Sequence, residues 1–296
     1  MEKKFCKMNI LVSVNAKYLK PLKVLISSLV RTQKEKCHIY FLNMSLTSLE
    51  EGELLLFCSF LETPVTIITM PPDIKDLLRL KEQELKISGS PLSCETYSRL
   101  FTPSLFPNID RILWLDADCI VKGDLRDFYY QDLRGSAIGA CDHCNWILPG
   151  VPAFSFWEYP KRKRIPEYFN AGVILFNVTR CKMMPEFEKS SMEERIKNSN
   201  MDNAPHQDQS ILNKIFYPAN VKWNSPLLYN LFVNEDWDSG FSSYSGKYKI
   251  YEKAKILHYC SPHKPWDLLN SFDPILRGYW VEEYMHVLKI EREIFY

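Results

Sequence analysis

Asp116-Ala117-Asp118 is the pair of residues in this chain best suited to chemistry. In an extended backbone, residues i and i+2 project to the same side, so both carboxylates face one way. They follow a short apolar run, Arg111-Ile-Leu-Trp-Leu115, and ligands of open α/β sheets bind outside the carboxyl ends of the strands. Two adjacent carboxylates repel unless a cation lies between them, and a divalent ion is the natural one. The same spacing recurs at Asp236-Trp237-Asp238, with no strand-like run before it. The second candidate is His258-Tyr-Cys-Ser261-Pro-His-Lys264-Pro-Trp266, after Lys255-Ile-Leu257. His258 is thereby also placed at a strand end, where an imidazole could complete a metal site. Mixed oxygen and nitrogen ligation suits Mn²⁺ better than Mg²⁺. Lys264, held near two prolines, is a fixed cation suited to neutralising phosphate. A packed histidine and a surface lysine are the plainer alternative.

Asn170-Ala171-Gly172 and His206-Gln207-Asp208-Gln209 place amides and one carboxylate beside small residues or at a helix start. Such groups match sugar hydroxyls, each of which donates and accepts; helix capping is the competing use. Cys141-Asp-His-Cys144 has the spacing of a half zinc site but lacks a second ligand pair. The basic run Lys161-Arg-Lys-Arg164 reads as a solvated loop, with an anionic acceptor or membrane surface as the minority reading.

The elements that must position these residues alternate between strand and helix. Ile10–Val14, Cys37–Met44 and Val65–Met70 read as strands, the last stopped by Pro71-Pro72. Tyr18–Val30 has helical spacing, and Thr47-Ser-Leu-Glu50 is a capping box opening a helix through Leu61. Then come a helix around Glu95–Leu105 and strands at Arg111–Leu115, Ala137–Cys141 and Gly172–Asn177. A Pro- and aromatic-rich insertion spans Trp146–Pro166. Polar helices follow Met183, then a Gly/Ser/Tyr-rich loop over Asp238–Lys249, a strand at Lys255–His258 and a helix from Ile275. Apolar strands alternating with helices imply βαβ units and a parallel sheet covered on both faces.

The chain has 296 residues, with 37 Lys+Arg against 36 Asp+Glu, 46% hydrophobic and 25% charged. That balance excludes a disordered chain and gives no support to nucleic-acid binding. There is no GxGxxG after the first strand, no phosphate-loop GxxxxGK[ST] and no GxSxG, so dinucleotide oxidoreductases, P-loop enzymes and α/β-hydrolases are unsupported. Nine scattered cysteines, an odd count, point to a reducing compartment. MEKKFCKMNI carries no apolar leader, and no run approaches a membrane span. The expectation is a cytoplasmic protein, with peripheral contact at the inner face of a membrane as a further expectation.

Together these segments resemble the family 8 retaining glycosyltransferases, the group of bacterial lipopolysaccharide galactosyl- and glucosyltransferases and glycogenin. The resemblance runs from Ile10 to Trp266 through five ordered motifs. They are Tyr97-Ser-Arg99-Leu100, Arg111 to Asp118, Tyr168 to Asn177, His206 to Asn213, and His258 to Trp266. The resemblance implies an α/β fold of the GT-A nucleotide-diphospho-sugar transferase type, with a Rossmann-like, mostly parallel sheet flanked by helices. It implies one domain over residues 1–270 and a C-terminal helical extension over 271–296, packed on it or contacting membrane or acceptor. Asp116, Asp118 and His258 would hold Mn²⁺, or else Mg²⁺, against the diphosphate of a UDP-sugar. Asn15, Tyr18 and Ala117 would contact the nucleotide. Arg99 would reach the sugar or diphosphate, Asn170, Ala171, Asp208 and Gln209 would line the sugar pocket, and Ser261 and Lys264 would bind phosphate. Catalysis would fall to Gln209, Asp208 and Lys264, with Gln209 beside the reacting carbon. An amide is a poor nucleophile, which favours front-face attack over double displacement.

The implied reaction moves galactose or glucose from UDP to a saccharide acceptor in α-linkage. Three positions depart from the family pattern: Asn15-Ala-Lys17-Tyr18 lacks the usual acidic residues, Ser210 replaces an Asp, and Ser261 replaces a Gly. Two other readings remain at this point. One is a haloacid-dehalogenase-like phosphatase, with Asp116-x-Asp118 and Gly123-Asp124-x-x-Asp127 as acidic loops. The other is a silent nucleotide-sugar-binding relative.

Overall fold

The computed structural model describes the chain except residues 1–6, 88–92, 107, 143–167, 201–203, 205, 218, 234–243, 262, 268–271 and 296. The Trp146–Pro166 insertion with its basic run, Cys144 and Asp236-Trp237-Asp238 lie outside the described residues. Ten strands are described: β1 Met8–Val12, β2 Cys37–Asn43, β3 Val65–Thr69, β4 Arg111–Leu115, β5 Cys119–Val121, β6 Ile138–Asp142, β7 Phe169–Asn177, β8 Val221–Asn224, β9 Leu231–Phe232 and β10 Ile256–His258. Seven form one sheet in the order β3-β2-β1-β4-β7-β6-β8, and three form a second in the order β5-β10-β9. In the large sheet only β7 runs against its neighbours.

Alternation along the strands builds a core on each face. Met8, Ile10 and Val12 face one core while Leu11 faces the other. On β4, Leu113 and Leu115 join the first core and Ile112 and Trp114 the second. The first core also holds the Leu19–Thr32 helix and residues of the Pro274–Phe295 helix. The second holds residues of the Pro72–Ile87 and Gln207–Phe216 helices. The period of two therefore produces a sheet buried on both sides.

Three topological facts position the site. From β1 the chain moves to β2 and β3 on one side, while β4 pairs on the other. The gap beyond β1 and β4 is thus a switch point, where ligands of open sheets bind. Because β7 is antiparallel to β4, with Leu115 opposite Val173, the start of β7 lies at the end of β4. Antiparallel pairing of β10 with β5 sets His258 opposite Cys119.

Several expectations need correction. The Glu95–Leu105 helix is broken into turns at Cys94–Tyr97 and Thr102–Leu105 with a 3₁₀ turn, Ser98–Phe101, between them. Pro103 near the start of the last turn has no N–H to continue an α ladder. Pro72 does not only stop β3: it opens the unanticipated Pro72–Ile87 helix, since proline is well placed at a first helical position. The expected Asp238–Lys249 loop instead contains the start of a helix, Tyr244–Lys253. β7 begins at Phe169 rather than Gly172, and β5, β8 and β9 were not foreseen. The Thr47–Glu50 capping box is present, with Glu50 Oε2 accepting Thr47 N–H at 2.8 Å. Among the described residues, no helix is long and apolar enough to cross a membrane.

Candidate active site

Past β4 the backbone turns, and Asp116 N–H donates to Gly172 O at 2.8 Å. Asp116 Oδ1 accepts from Trp114 Nε1 at 2.7 Å and pairs with Arg99 Nη2 at 3.1 Å. Its other oxygen, Oδ2, lies 3.9 Å from His258 Nε2. Asp118 Oδ1 is 3.2 Å from the same nitrogen, and Asp118 Oδ2 accepts from Lys264 Nζ at 2.7 Å. The expected metal ligands therefore converge, although 140 residues separate Asp118 from His258 in sequence (258 − 118). Lys264 is further held by Tyr259 O at 2.6 Å.

The tautomer of His258 follows from a chain of hydrogen bonds anchored on the backbone. Gly172 N–H donates to Asn170 Oδ1 at 2.9 Å, so that atom is an acceptor. Asn230 Nδ2 donates to it at 2.9 Å, which turns Asn230 Oδ1 to His258 Nδ1 at 2.8 Å. Nδ1 therefore donates to Asn230, and Nε2 is the ring nitrogen turned toward the two carboxylates. Two carboxylates this close to a ring nitrogen call for a proton or a cation between them. Two carboxylates and an oriented imidazole are the donor set of a hard to borderline divalent ion. Cys119 Sγ also lies within 4.8 Å of the Asp118 and His258 ligand atoms. Burial, with Asp118 and Asp116 nearby, pushes its thiol well above the usual range. A hard cation prefers the oxygen and nitrogen donors of the aspartates and His258 to this sulfur.

Gly172 makes the convergence possible. A Cβ there would lie 2.2 Å from His258 Cε1 and 2.9 Å from Asp116 Oδ2. Asn230 and the steric role of Gly172 were both missed from sequence. Nothing in Leu227-Leu-Tyr-Asn230-Leu-Phe marks the asparagine as a histidine's partner.

Arg99, buried, is the hub of the other half. It pairs with Asp116 and, through Nε, with Asp208 Oδ2 at 3.0 Å, while its guanidinium lies 4.7 Å from the Trp114 ring centre. The Nε–H itself points at Thr96 O at 2.8 Å. Asp208 Oδ2 accordingly receives charge but no hydrogen bond. Burial pushes Asp208 up to about 6, against the pull of Arg99 and with Asp116 adding to the rise. Burial also opposes ionisation of Asp118, but Lys264 and His258 outweigh it and hold that carboxyl below its usual range. Lys264 is raised: burial lowers it, and Asp118 more than compensates.

Gln209 Oε1 accepts from Ala171 N–H at 2.9 Å and Asn170 Nδ2 at 3.1 Å. Both of its lone pairs are engaged, leaving the NH₂ as what its amide offers a ligand. The preceding Gln207 has φ +54°, rare for a residue with a Cβ, and accepts from Tyr97 O–H at 2.8 Å. Ser210, in place of an Asp, accepts His206 N–H at 3.0 Å and meets Tyr168 Oη at 2.9 Å.

The remaining site residues lie in turns. Asn15 Oδ1 accepts Lys17 N–H at 3.1 Å, capping the Ala16–Tyr18 3₁₀ turn. Tyr18, raised by burial, feels Lys264, Asp118 and Asp116. Ala117 is buried between the two aspartates, and Ser261 donates to His263 O at 2.6 Å. The supposed phosphatase loop is not part of the site: Asp124 pairs with Arg126 at 2.7 Å, and Asp127 pairs with Lys255 at 3.1 Å.

A Rossmann-like sheet with paired carboxylates at its switch point, faced by a histidine and a lysine from the far end of the chain, defines a glycosyltransferase of the GT-A fold. The chain belongs to glycosyl transferase family 8, whose family model matches residues 9–269. It is 24% identical over 261 residues to a putative glycosyltransferase of Haemophilus influenzae, covering 88% of this chain and 73% of that protein. It is 23% identical over 191 residues to a probable galacturonosyltransferase-like protein 4 of Arabidopsis thaliana, covering 61% of this chain and 51% of the relative. The chain thus spans about half the length of that plant relative. The solved structure of the galactosyltransferase LgtC, in complex with donor and acceptor sugar analogues, superposes with TM-score 0.68 at 19% identity. That match covers 94% of this chain and 96% of LgtC, and it establishes the fold.

Proposed function

We propose that this glycosyltransferase moves galactose or glucose from a UDP-sugar to a saccharide acceptor, with retention at the anomeric carbon and with Mn²⁺ as its metal. One observation carries the reading: His258 Nε2 faces Asp118 Oδ1 at 3.2 Å and Asp116 Oδ2 at 3.9 Å at the switch point. Asp116, Asp118 and His258 are the residues that would hold the ion. When bound, it would supply Lewis-acid stabilisation of the diphosphate leaving group.

Charge supports the assignment. Three carboxylates (Asp116, Asp118, Asp208) against two fixed cations (Arg99, Lys264) leave a deficit of one positive charge among these groups. A dianionic diphosphate needs more positive charge than this. Lys264 neutralises charge on the departing diphosphate, and such fixed electrostatics is commonly the largest catalytic contribution. Tyr18, Asn15 and Ala117 contact the nucleotide, and Ser261 lies at the phosphate. Arg99 keeps Asp116 and Asp208 oriented toward the sugar. Asn170, Ala171, Asp208 and Gln209 line the sugar pocket. With both oxygen lone pairs engaged, Gln209 is no nucleophile, which favours front-face attack by the acceptor.

The test is release of UDP from a panel of UDP-sugars, with Mn²⁺ or with EDTA. The expected result is Mn²⁺-dependent turnover of one hexose donor, lost in Asp118→Asn. Failure of every UDP-sugar to bind or turn over would overturn the uridine reading.

A further inference from the structure

The segment His258–Trp266, which supplies His258 and Lys264, is gripped on its far side by a helix that begins beyond the family-matched residues. That helix is Pro274–Phe295, and the match ends at 269. Tyr259, fully buried, donates its O–H to Leu276 O at 2.8 Å. Its own carbonyl accepts Lys264 Nζ at 2.6 Å. Trp266 packs on Trp280 with ring centres 5.6 Å apart, and Trp280 stacks on Tyr284 at 4.9 Å. On its other side Trp266 meets Tyr18 edge-on at 5.8 Å, and Lys264 Nζ lies 5.8 Å from its ring centre. Arg277 Nη2 reaches Asp267 O at 3.4 Å and the guanidinium lies 5.7 Å from the Phe272 ring.

A continuous aromatic file therefore runs Tyr18, Trp266, Trp280, Tyr284, from the nucleotide end of the site to the C-terminal helix. Further along, that helix is tied elsewhere. Glu291 pairs with Lys23 at 2.7 Å and Glu283 with Arg31 at 2.9 Å, both on the Leu19–Thr32 helix. That same helix follows directly from the Ala16–Tyr18 turn. The C-terminal helix thus grips the Lys264 segment, and through Trp266 the Tyr18 ring, with its aromatic file, while the ion pairs only anchor it to the Leu19–Thr32 helix. Large aromatic side chains suit the purpose, since they combine large buried area with few rotatable bonds.

The geometry points to Trp280 as a positioning residue: through Trp266 it sets Lys264 and Tyr18 for the donor diphosphate and base, making the C-terminal helix part of the donor site. The inference rests on the proposed role of Lys264 and Tyr18 toward UDP. Trp280 touches no reacting atom, so its effect appears as donor affinity rather than as loss of the carboxylate–histidine cluster.

The experiment compares full-length wild type with Trp280→Ala, Trp280→Phe and Glu283→Gln. UDP binding with Mn²⁺ is read by calorimetry, amide hydrogen exchange over residues 258–267 is read without nucleotide, and thermal midpoints are taken throughout. Glu283→Gln breaks the ion pair of the same helix with Arg31, leaves every ring of the aromatic file in place, and reports simple loosening. Trp280→Ala is expected to weaken UDP binding roughly ten-fold and to speed exchange over 258–267. Trp280→Phe is expected to restore most of both, and Glu283→Gln to lower the midpoint alone. Equal exchange over 258–267 in Trp280→Ala and Glu283→Gln would overturn the inference, as would unchanged UDP affinity in Trp280→Ala. If wild type binds no UDP, the donor reading fails, while the exchange comparison still decides whether Trp280 positions the segment.

Discussion

Gly172→Ala is the sharpest test of how the site is assembled. The added Cβ would lie 2.2 Å from His258 Cε1, whereas carbon atoms rest about 3.5–4.0 Å apart. The ring must therefore withdraw by roughly 1.5 Å, or β7 must separate from it. His258 is buried, and its Nδ1 is committed to Asn230 at 2.8 Å. Withdrawal breaks that bond and carries Nε2 off the carboxylates. Overpacking costs about 1–3 kcal/mol, and a buried polar group left unpaired costs about 1–3 kcal/mol more. The expected destabilisation is about 2–6 kcal/mol by urea denaturation. Misplacement of a catalytic group by about 1 Å is expected to cost on the order of 10²-fold in turnover. The Mn²⁺ concentration needed for half-maximal rate should rise as well. Gly278→Ala is the control, because nothing lies within 4 Å of a Cβ there and the position is inside a helix. It should stabilise by about 0.5–1 kcal/mol without touching metal dependence. A Gly172→Ala protein with wild-type stability and an unchanged Mn²⁺ response would refute the steric reasoning.

Three other outcomes are expected. Lys264→Ala strips Asp118 of a buried ion-pair partner, so stability in EDTA should fall by about 3–5 kcal/mol; Mn²⁺ should then raise its thermal midpoint more than it raises that of wild type, and an equal rise would count against a shared site. Asp208, raised to about 6 by burial, contributes stability that is full below its ordinary value and is lost as pH climbs through about 6. The swing is about 3 kcal/mol, so Asp208→Asn should flatten the stability curve between about pH 4 and 6 in EDTA; a retained slope would assign it to another group. Asp118, held below its usual range, acts with the opposite sign, and its contribution is lost as pH falls through its lowered pKa. Asn230→Ala should weaken Mn²⁺ binding about 10–100-fold through the freed imidazole with little change in fold, measured by titration with activity and circular dichroism; unchanged affinity would show that Asn230 does not fix the tautomer.

The local features were legible in the chain because their causes are local. The run Arg111–Leu115 alternates between two cores and ends at Asp116, as apolar pattern and i, i+2 geometry require. The Thr47–Glu50 capping box needs only three residues of separation. Ordered motifs pointed to the family, though not to how the motifs meet in space. Pro72 was read as a stop because proline ends a strand and begins a helix with equal ease. The Asp238–Lys249 segment reads as loop from its Gly and Ser content, whereas the Tyr244–Lys253 helix that starts within it depends on packing, with Tyr251 and Ala254 buried in the first core.

What only the tertiary structure decided was partnership. β10 pairs antiparallel with β5 and brings His258 to Asp118; β7, reversed against β4, brings Asn170 and Gly172 to Asp116. Asn230 orients the imidazole, and Arg99 is buried between Asp116 and Asp208. The Pro274–Phe295 helix grips the lysine segment through Tyr259 and Trp266. Each of these depends on strand direction, register or burial across long sequence separations. Residue type sets which groups can hold a cation or a proton. The distances and low-dielectric surroundings that make them do so exist only once the chain has folded.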